Sequence, residues 1–499
     1  MKRKVVSYYP YVGSKLNDEV FKNKNSWEYH LKELLDKENI DIHTHDLVPI
    51  EEADYVLVFD NLFYQNIDIM WDIYNNKKCE NSVYINYEPV TGHAKNHDEV
   101  GMKKLSKIFN RIVTFDDDLV DDKKYIKGNI ANFFSKEQPY KNDFNERKFL
   151  TMITNNTSSD SVIHLLNKYN HTNYYSKNNI KEDSHSIYSE REKAADFFRR
   201  KCKKDFDLYG ELWSSKFNSV LKGIVEREDK INVLSKYKFV ISYDSYTNQN
   251  GYISEKIFDC FMAKTVPVYL GADNVCDYIP KDCFINKKDF NTYDELYEFL
   301  RSIDEATYEK YIRNIEKFLQ SNNYKKYFSS ESSARSLKRA LLSGGKISYK
   351  DAHDSLMYFE KKRQEVYKNN VITYMFEHIN HQENTFTVCF EFRKDAKVKV
   401  ISDGLDEDIT IEFKGKTKRS IVFKPNKKYT TIKVLDMNTN KYINFRSFDP
   451  DTTNEYGLLP KKDKLIYYNY VNRSPFYKMF YIFVHNRNKI RKMFKRGDK

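Results

Sequence analysis

The sequence predicts an α/β protein of two successive layered lobes with a cleft between them, followed by a β-rich domain and a basic tail. Three observations carry this expectation. Short apolar segments that end in polar residues alternate with helical stretches over the first ~340 residues, the pattern of open α/β sheets. Near residue 370 the apolar spacing changes from helical to strictly alternating, which marks a change of architecture. From Arg487 to Lys499 the chain is strongly basic. At 499 residues it also exceeds what one hydrophobic core ordinarily organises, so several domains are expected.

The elements follow in order. The first lobe, residues 1–145, contains the strand-like runs Tyr55–Phe59, Ser82–Tyr87 and Arg111–Phe115. They end respectively at Asp60-Asn61, Glu88-Pro89 and Asp116-Asp117-Asp118, and such strand ends are where open α/β sheets place ligands. A charged linker, Ser135 to Lys148, leads to the second lobe, residues 146–345. Its strands are Phe149–Ile153, closed by Thr154-Asn155, then Phe239–Tyr243, then Thr265–Leu270 with Gly271 making the turn. Between the last two, Glu255 to Ala263 has helical spacing that puts Ile257, Phe258, Phe261 and Met262 on one face. Helical pattern resumes from Tyr308 to Leu342 and from Tyr349 to Lys368, with residues 346–370 read as a linker. In residues 371–450, Phe386, Val388, Phe390 and Phe392 alternate with other residues, as do Ile409, Ile411 and Phe413. Such closely spaced short strands predict a small antiparallel sandwich or barrel. Residues 451–499 form an aromatic, then basic, tail.

Composition narrows the function classes. Hydrophobic residues at 40% and aromatics at 15% supply ample core material and exclude wholesale disorder. A formal net charge of +12 is compatible with nucleic acid, anionic membrane or phosphate-bearing ligands. Much of that charge sits at the very end, so no nucleic-acid partner is expected. Six scattered cysteines without a C-x-x-C pair point to free thiols in a reducing compartment. The start, Met1-Lys2-Arg3-Lys4-Val5-Val6, has no apolar stretch behind it, and no later segment reaches the ~20 apolar residues of a spanning helix. A cytoplasmic location is therefore expected. The tail admits two readings. Phe476, Phe480, Phe483 and Val484, backed by Arg487, Lys489, Arg491, Lys492, Lys495 and Arg496, form either an interfacial anchor for an anionic membrane or a docked helix with a solvated basic end. Peripheral membrane association is the expectation.

The stretch Tyr237 to Phe290 carries the chemistry. A strand ends at Tyr243-Asp244, a glycine-bearing loop follows, and Tyr252-Ile253-Ser254-Glu255-Lys256 opens a helix. A helix N-terminus offers unpaired N–H groups and the positive end of its dipole, a natural seat for a diphosphate. Lys256 adds a point charge there, Tyr252 a ring and hydroxyl, and Glu255 an acceptor for sugar hydroxyls. Taken alone, a Glu-Lys pair at a helix start is also an ordinary solvated terminus.

This stretch resembles the α-1,3/4-fucosyltransferases (glycosyltransferase family 10). Their donor-lobe signature runs strand, acidic residue, loop, Y-x-[TS]-E-K, then a V-P-V-Y-x-G strand. Upstream, Tyr188-Ser189-Glu190-Arg191 and Phe206-Asp207-Leu208-Tyr209-Gly210 resemble that family's arginine-bearing helix and following strand; downstream, Asp277-Tyr278-Ile279-Pro280 and Phe284-Ile285 continue the match. The family's acidic-then-Asn pair is here Asp244-Ser245. The resemblance is clear over roughly residues 145–330, looser over 1–145, and stops before ~350.

What the resemblance implies is a GT-B-like fold of two Rossmann-like lobes. It implies an inverting transfer of L-fucose from GDP-fucose to a GlcNAc- or glucose-containing glycan acceptor, giving an α-1,3 or α-1,4 fucoside. Arg191 and Lys256 would hold the pyrophosphate, Tyr252 and Glu255 the nucleotide sugar, with Asp244 and Asn155 also on the donor side. Glu88 would be the general base, and neither a cofactor nor a divalent metal is required. A bacterial source and a surface polysaccharide or lipopolysaccharide acceptor are expected. The alternatives are another GDP-sugar donor, or a non-catalytic glycan- or membrane-binding relic.

Two other signals are weaker. Asp41-Ile42-His43-Thr44-His45-Asp46 looks like a strand-end His-x-His metal pair, but no further ligands accompany it. Asp116-Asp117-Asp118 looks like a diphosphate-metal Asp-x-Asp, but lies far in sequence from the donor signature and reads as a cap or loop.

Overall fold

A computed structural model describes residues 2–8, 18–45, 47–59, 63–87, 99–129, 143–155, 187–210, 213, 215–247, 249–366, 372–380, 385–392, 395–402, 408–414, 417–423, 430–437 and 441–448. Glu88, most of the charged linker and the whole tail of residues 451–499 lie outside them.

The first lobe alternates β1 (Arg3–Tyr8), α1 (Trp27–Asp36), β2 (Ile40–Thr44), β3 (Tyr55–Val58), α2 (Phe63–Asn75), β4 (Ser82–Asn86), α3 (Glu99–Ile108), β5 (Arg111–Thr114) and β6 (Tyr125–Lys127). Its six strands are all parallel, in the order β2-β1-β3-β4-β5-β6. A parallel sheet is covered on both faces, so its central strands read as unbroken buried runs; every residue of β4 is buried. Sequence reasoning missed β1 and β2. Arg3-Lys4 opens the first, and only Ile40, Ile42 and Thr44 turn fully inward on the second.

The second lobe runs β7 (Lys148–Ile153), α4 (Tyr188–Lys201), β8 (Phe206–Tyr209), α5 (Lys230–Leu234), β9 (Tyr237–Tyr243), α6 (Glu255–Met262), β10 (Val266–Leu270), β11 (Ile285–Asn286), α7 (Tyr293–Ser302) and α8 (Glu305–Gln320). Its parallel strands lie in the order β11-β10-β9-β7-β8. After β7 the chain winds outward to β8, then returns to build β9, β10 and β11 on the other side. The crevice beyond the ends of β7 and β9 is therefore the switch point at which such sheets bind ligands. The two parallel-sheet lobes give the GT-B-like, Rossmann-like fold the sequence predicted.

Three further helices, α9 (Asn322–Tyr327), α10 (Ser330–Leu342) and α11 (Tyr349–Val366), end the α/β part. The aromatic core of the second lobe closes over Tyr324 and Phe328. Ala334, Leu337, Ala340 and Leu341 of α10 instead pack with Leu31, Leu35 and Val113 of the first lobe. Ala352, Leu356 and Phe359 of α11 pack with Ile67, Met70 and Leu105. The chain thus recrosses between the lobes near residue 329, and α10 and α11 belong physically to the first. Beyond them, β12 to β18 (Ile372–Asn380, Thr385–Phe392, Ala396–Ser402, Ile409–Phe413, Thr417–Phe423, Thr430–Asp436, Lys441–Phe448) pair antiparallel in sheets of three and four strands. That is the β-rich architecture the alternation predicted.

Candidate donor site

The sequence-marked residues converge on the ends of β7 and β9 and the start of α6. Ser254 caps α6 with extended backbone, and its hydroxyl accepts from the Lys256 N–H. The same hydroxyl donates to Asp244 Oδ1, and Tyr269 OH donates to Asp244 Oδ2 at 2.7 Å. Tyr269 OH in turn accepts the Ala272 N–H at 3.0 Å. Asp244 is wholly buried and burial raises its pKa. Both its oxygens are engaged from within, so it sits behind the start of α6 and fixes it. Gly271 is required beside it: a Cβ there would lie 2.2 Å from Tyr269 OH and 2.6 Å from Asp244 Oδ2.

Arg191, in the first turn of α4, is buried. Its Nη2 donates to the Tyr243 carbonyl at 3.0 Å and to Ser245 Oγ at 3.2 Å. The guanidinium therefore stands at the end of β9, level with Asp244, and Ser245 supplies an oxygen to it. Lys256 Nζ lies 3.2 Å from Ser254 Oγ and 3.4 Å from Glu255 Oε1. Against the desolvation that would raise it, Lys256 and then Lys230 hold the Glu255 carboxyl at about 2. At neutral pH Glu255 is therefore an ionised hydrogen-bond acceptor. Tyr252 is buried with its ring 5.1 Å from that of Phe115 of the first lobe. Asn155 is exposed just past β7, and Thr154 before it lines a crevice shared with Lys230, Ser242, Tyr243, Lys256 and Cys260.

The structure thus brings together Arg191, Asp244, Tyr252, Glu255 and Lys256, with Asn155 on the neighbouring strand end. Glu88 follows the buried end of β4 outside the described residues, and its place is not fixed. Sequence reasoning missed Lys230, whose Nζ lies 2.5 Å from Asp259 Oδ2 one turn along α6 from Glu255. An Asp-Lys pair at the start of a short helix carries no local mark of such a role. Ser254 and Tyr269 were also passed over, although Ser three residues before an apolar helical face is a legible cap signal.

The weaker signals found other partners. His43 Nδ1 lies 2.9 Å from Asp18 Oδ2, and His45 stacks on Tyr8. Asp117 bonds Lys127, Asn274 and Tyr278. Among the described residues, no group of three His, Cys, Asp or Glu side chains is placed to hold a metal ion, and no helix is long and apolar enough to cross a membrane.

Chemically, a guanidinium, an ammonium and a capped helix start at one strand end can neutralise a diphosphate that gains charge as a bond to it breaks. Residues 161–337 match the family described as glycosyltransferase family 10 (fucosyltransferase) C-term. Over 82 residues the chain is 38% identical to mouse 4-galactosyl-N-acetylglucosaminide 3-alpha-L-fucosyltransferase 9, spanning 16% of this chain and 23% of that one. Over 75 residues it is 36% identical to the Helicobacter pylori alpha-(1,3)-fucosyltransferase FucT, spanning 15% of each. The chain therefore matches under a quarter of the length of these curated relatives. A solved alpha1,3-fucosyltransferase with GDP-fucose aligns at 17% identity and a TM-score of 0.42, over 69% of this chain and 92% of that one. A likeness of that degree adds nothing to the fold, which rests on the two parallel sheets. Arg191, Asp244, Tyr252, Glu255 and Lys256 all fall within residues 161–337, the segment that matches glycosyltransferase family 10 (fucosyltransferase) C-term.

Proposed function

We propose that this protein is an inverting α-1,3- (or α-1,4-) fucosyltransferase that moves L-fucose from GDP-fucose to a GlcNAc- or glucose-containing glycan. The observation that carries the reading is the placement of Arg191, Tyr252 and Lys256 around the capped start of α6, within the segment that matches the family. In the reaction an acceptor hydroxyl oxygen attacks the anomeric carbon of β-linked fucose from the face opposite the nucleotide. The bond from that carbon to the β-phosphate oxygen breaks, and its electron pair leaves with GDP. Arg191, Lys256 and the helix dipole offset the charge that develops there, so no divalent ion is called for. Glu88 takes the hydroxyl proton, and the product is an α-fucoside. Glu255 accepts from sugar hydroxyls. The basic tail holds the enzyme to an anionic cytoplasmic membrane face where a lipid-linked acceptor is presented.

A panel of GDP-sugars with an N-acetyllactosamine-type acceptor, run with and without EDTA, tests this. Product is expected from GDP-fucose alone and in chelator. Lys256→Ala weakens GDP binding in calorimetry, whereas Glu88→Gln keeps GDP affinity and collapses turnover. Turnover with GDP-mannose only, or no GDP binding by folded protein, defeats the proposal.

A further inference from the structure

We propose that Asp117 of the first lobe is a positioning residue for the donor site, pinning from across the cleft the loop that carries Tyr252. The inference rests on reading that site as the seat of GDP-fucose. Asp117 lies three residues past β5. Its Oδ1 accepts from Lys127 Nζ and from Tyr278 OH, both at 2.6 Å, and its Oδ2 accepts from Asn274 Nδ2 at 2.8 Å. Two of these donors belong to the second lobe. Asn274 carries the link onward, because its Oδ1 accepts the Gly251 N–H at 2.8 Å.

The backbone repeats the connection. The Asp117 N–H donates to the Asn250 carbonyl at 3.1 Å, and Asn250 Nδ2 donates to Asp118 Oδ1 at 3.1 Å. The next residue but one is Tyr252, packed on Phe115 and grouped with Tyr246. Phe115, Asp117 and Asp118 thus fasten residues 250–252 from a single four-residue segment. Gly251 shows how close the approach is. Its φ is +83°, and a Cβ would lie 2.2 Å from the Phe115 carbonyl oxygen and 2.8 Å from Asp117 Oδ2.

Lys127 completes the fastening. Its ammonium also donates to the Phe115 carbonyl at 2.7 Å and stands 4.8 Å from the centroid of the Tyr278 ring. A partly buried carboxylate with three donors is held by charge-assisted bonds that are shorter and stronger than neutral ones. Both carboxylate oxygens are engaged, Oδ1 by Lys127 and Tyr278 and Oδ2 by Asn274. The acidic run that resembles an Asp-x-Asp therefore does mechanical work: donor binding depends on contact between lobes.

Hydrogen exchange of the ligand-free full-length protein and GDP calorimetry test the idea together. Asp117→Asn is expected to speed exchange of the amides at 249–253 and to weaken GDP binding ~10-fold, the loss typical of a charge-assisted bond. KM for GDP-fucose rises while the acceptor KM stays within about twofold. Gly251→Ala, which leaves every charge in place, is expected to do the same. General destabilisation would lower the melting temperature without moving the dissociation constant of the folded fraction. Wild-type GDP affinity and unchanged exchange at 249–253 in either folded variant overturns the inference. Should wild-type protein bind no GDP, the proposed function falls, and the exchange result still decides whether Asp117 holds the loop.

Discussion

Glu255 shows how one residue's environment sets its chemistry. An ordinary glutamate titrates near 4.5, and Lys256 and Lys230 hold this one at about 2. The folded form therefore binds the proton less readily than the unfolded chain. The stability gained is complete above pH ~4.5 and is lost as the pH falls toward ~2. Glu255→Gln should accordingly cost stability at pH 7 by an amount that shrinks across that window, read from urea unfolding at a series of pH values. A difference independent of pH would separate Glu255 from its two lysines. Arg191, Tyr252 and Lys256 were legible in the sequence because a local motif names them. Lys230 was not, since it reaches α6 from a different helix. Asp244 was legible as an acidic strand end, but not that Ser254 and Tyr269 enclose it. That enclosure depends on side chains 10 and 25 residues away.

At the level of elements, α6 depends on the Ser254 cap before it more than on its length. It spans eight residues, short for autonomous stability, and it is held by Ile257, Phe258 and Phe261 in the core and by the Ser254 cap at its start. Ser254→Ala removes the cap and one partner of buried Asp244. The expected cost is about 1–3 kcal/mol, seen as a lower urea midpoint at unchanged slope. GDP affinity should fall with it, because the cap orders the N–H groups that the proposed function assigns to the phosphates. A variant as stable as wild type would mean the cap is idle. The helix itself was evident from the apolar face of Glu255–Ala263. The strands β3, β4, β5, β7, β9 and β10 were evident as apolar runs, because strands buried on both faces leave continuous signals. β1 and β2 left broken ones.

For the whole molecule, the β-rich part and the α/β part are separate in their strand pairing: among the described residues, β12 to β18 pair with one another within their two sheets. A chain ending at residue 366 keeps both lobes and α11. It should bind GDP with wild-type affinity while losing sedimentation with anionic vesicles. Loss of GDP binding would make the antiparallel sheets part of the donor lobe's support, and retained sedimentation would place membrane affinity elsewhere. Periodicity announced α10 and α11 as amphipathic helices but not their destination, since an apolar stripe does not say which lobe covers it.

That destination has a consequence for how such a protein can change. The described residues of the first lobe run to Asn129 and resume at Ser330, and these two points touch: Asn129 Nδ2 donates to the Tyr327 carbonyl at 3.0 Å, and Ser333 Oγ to the Asn129 carbonyl at 3.2 Å. The described second-lobe residues that lie between them in sequence therefore have flanks that meet at one seam, the geometry that tolerates domain insertion. The second lobe could be exchanged there by recombination at two neighbouring joints, leaving the receiving half intact.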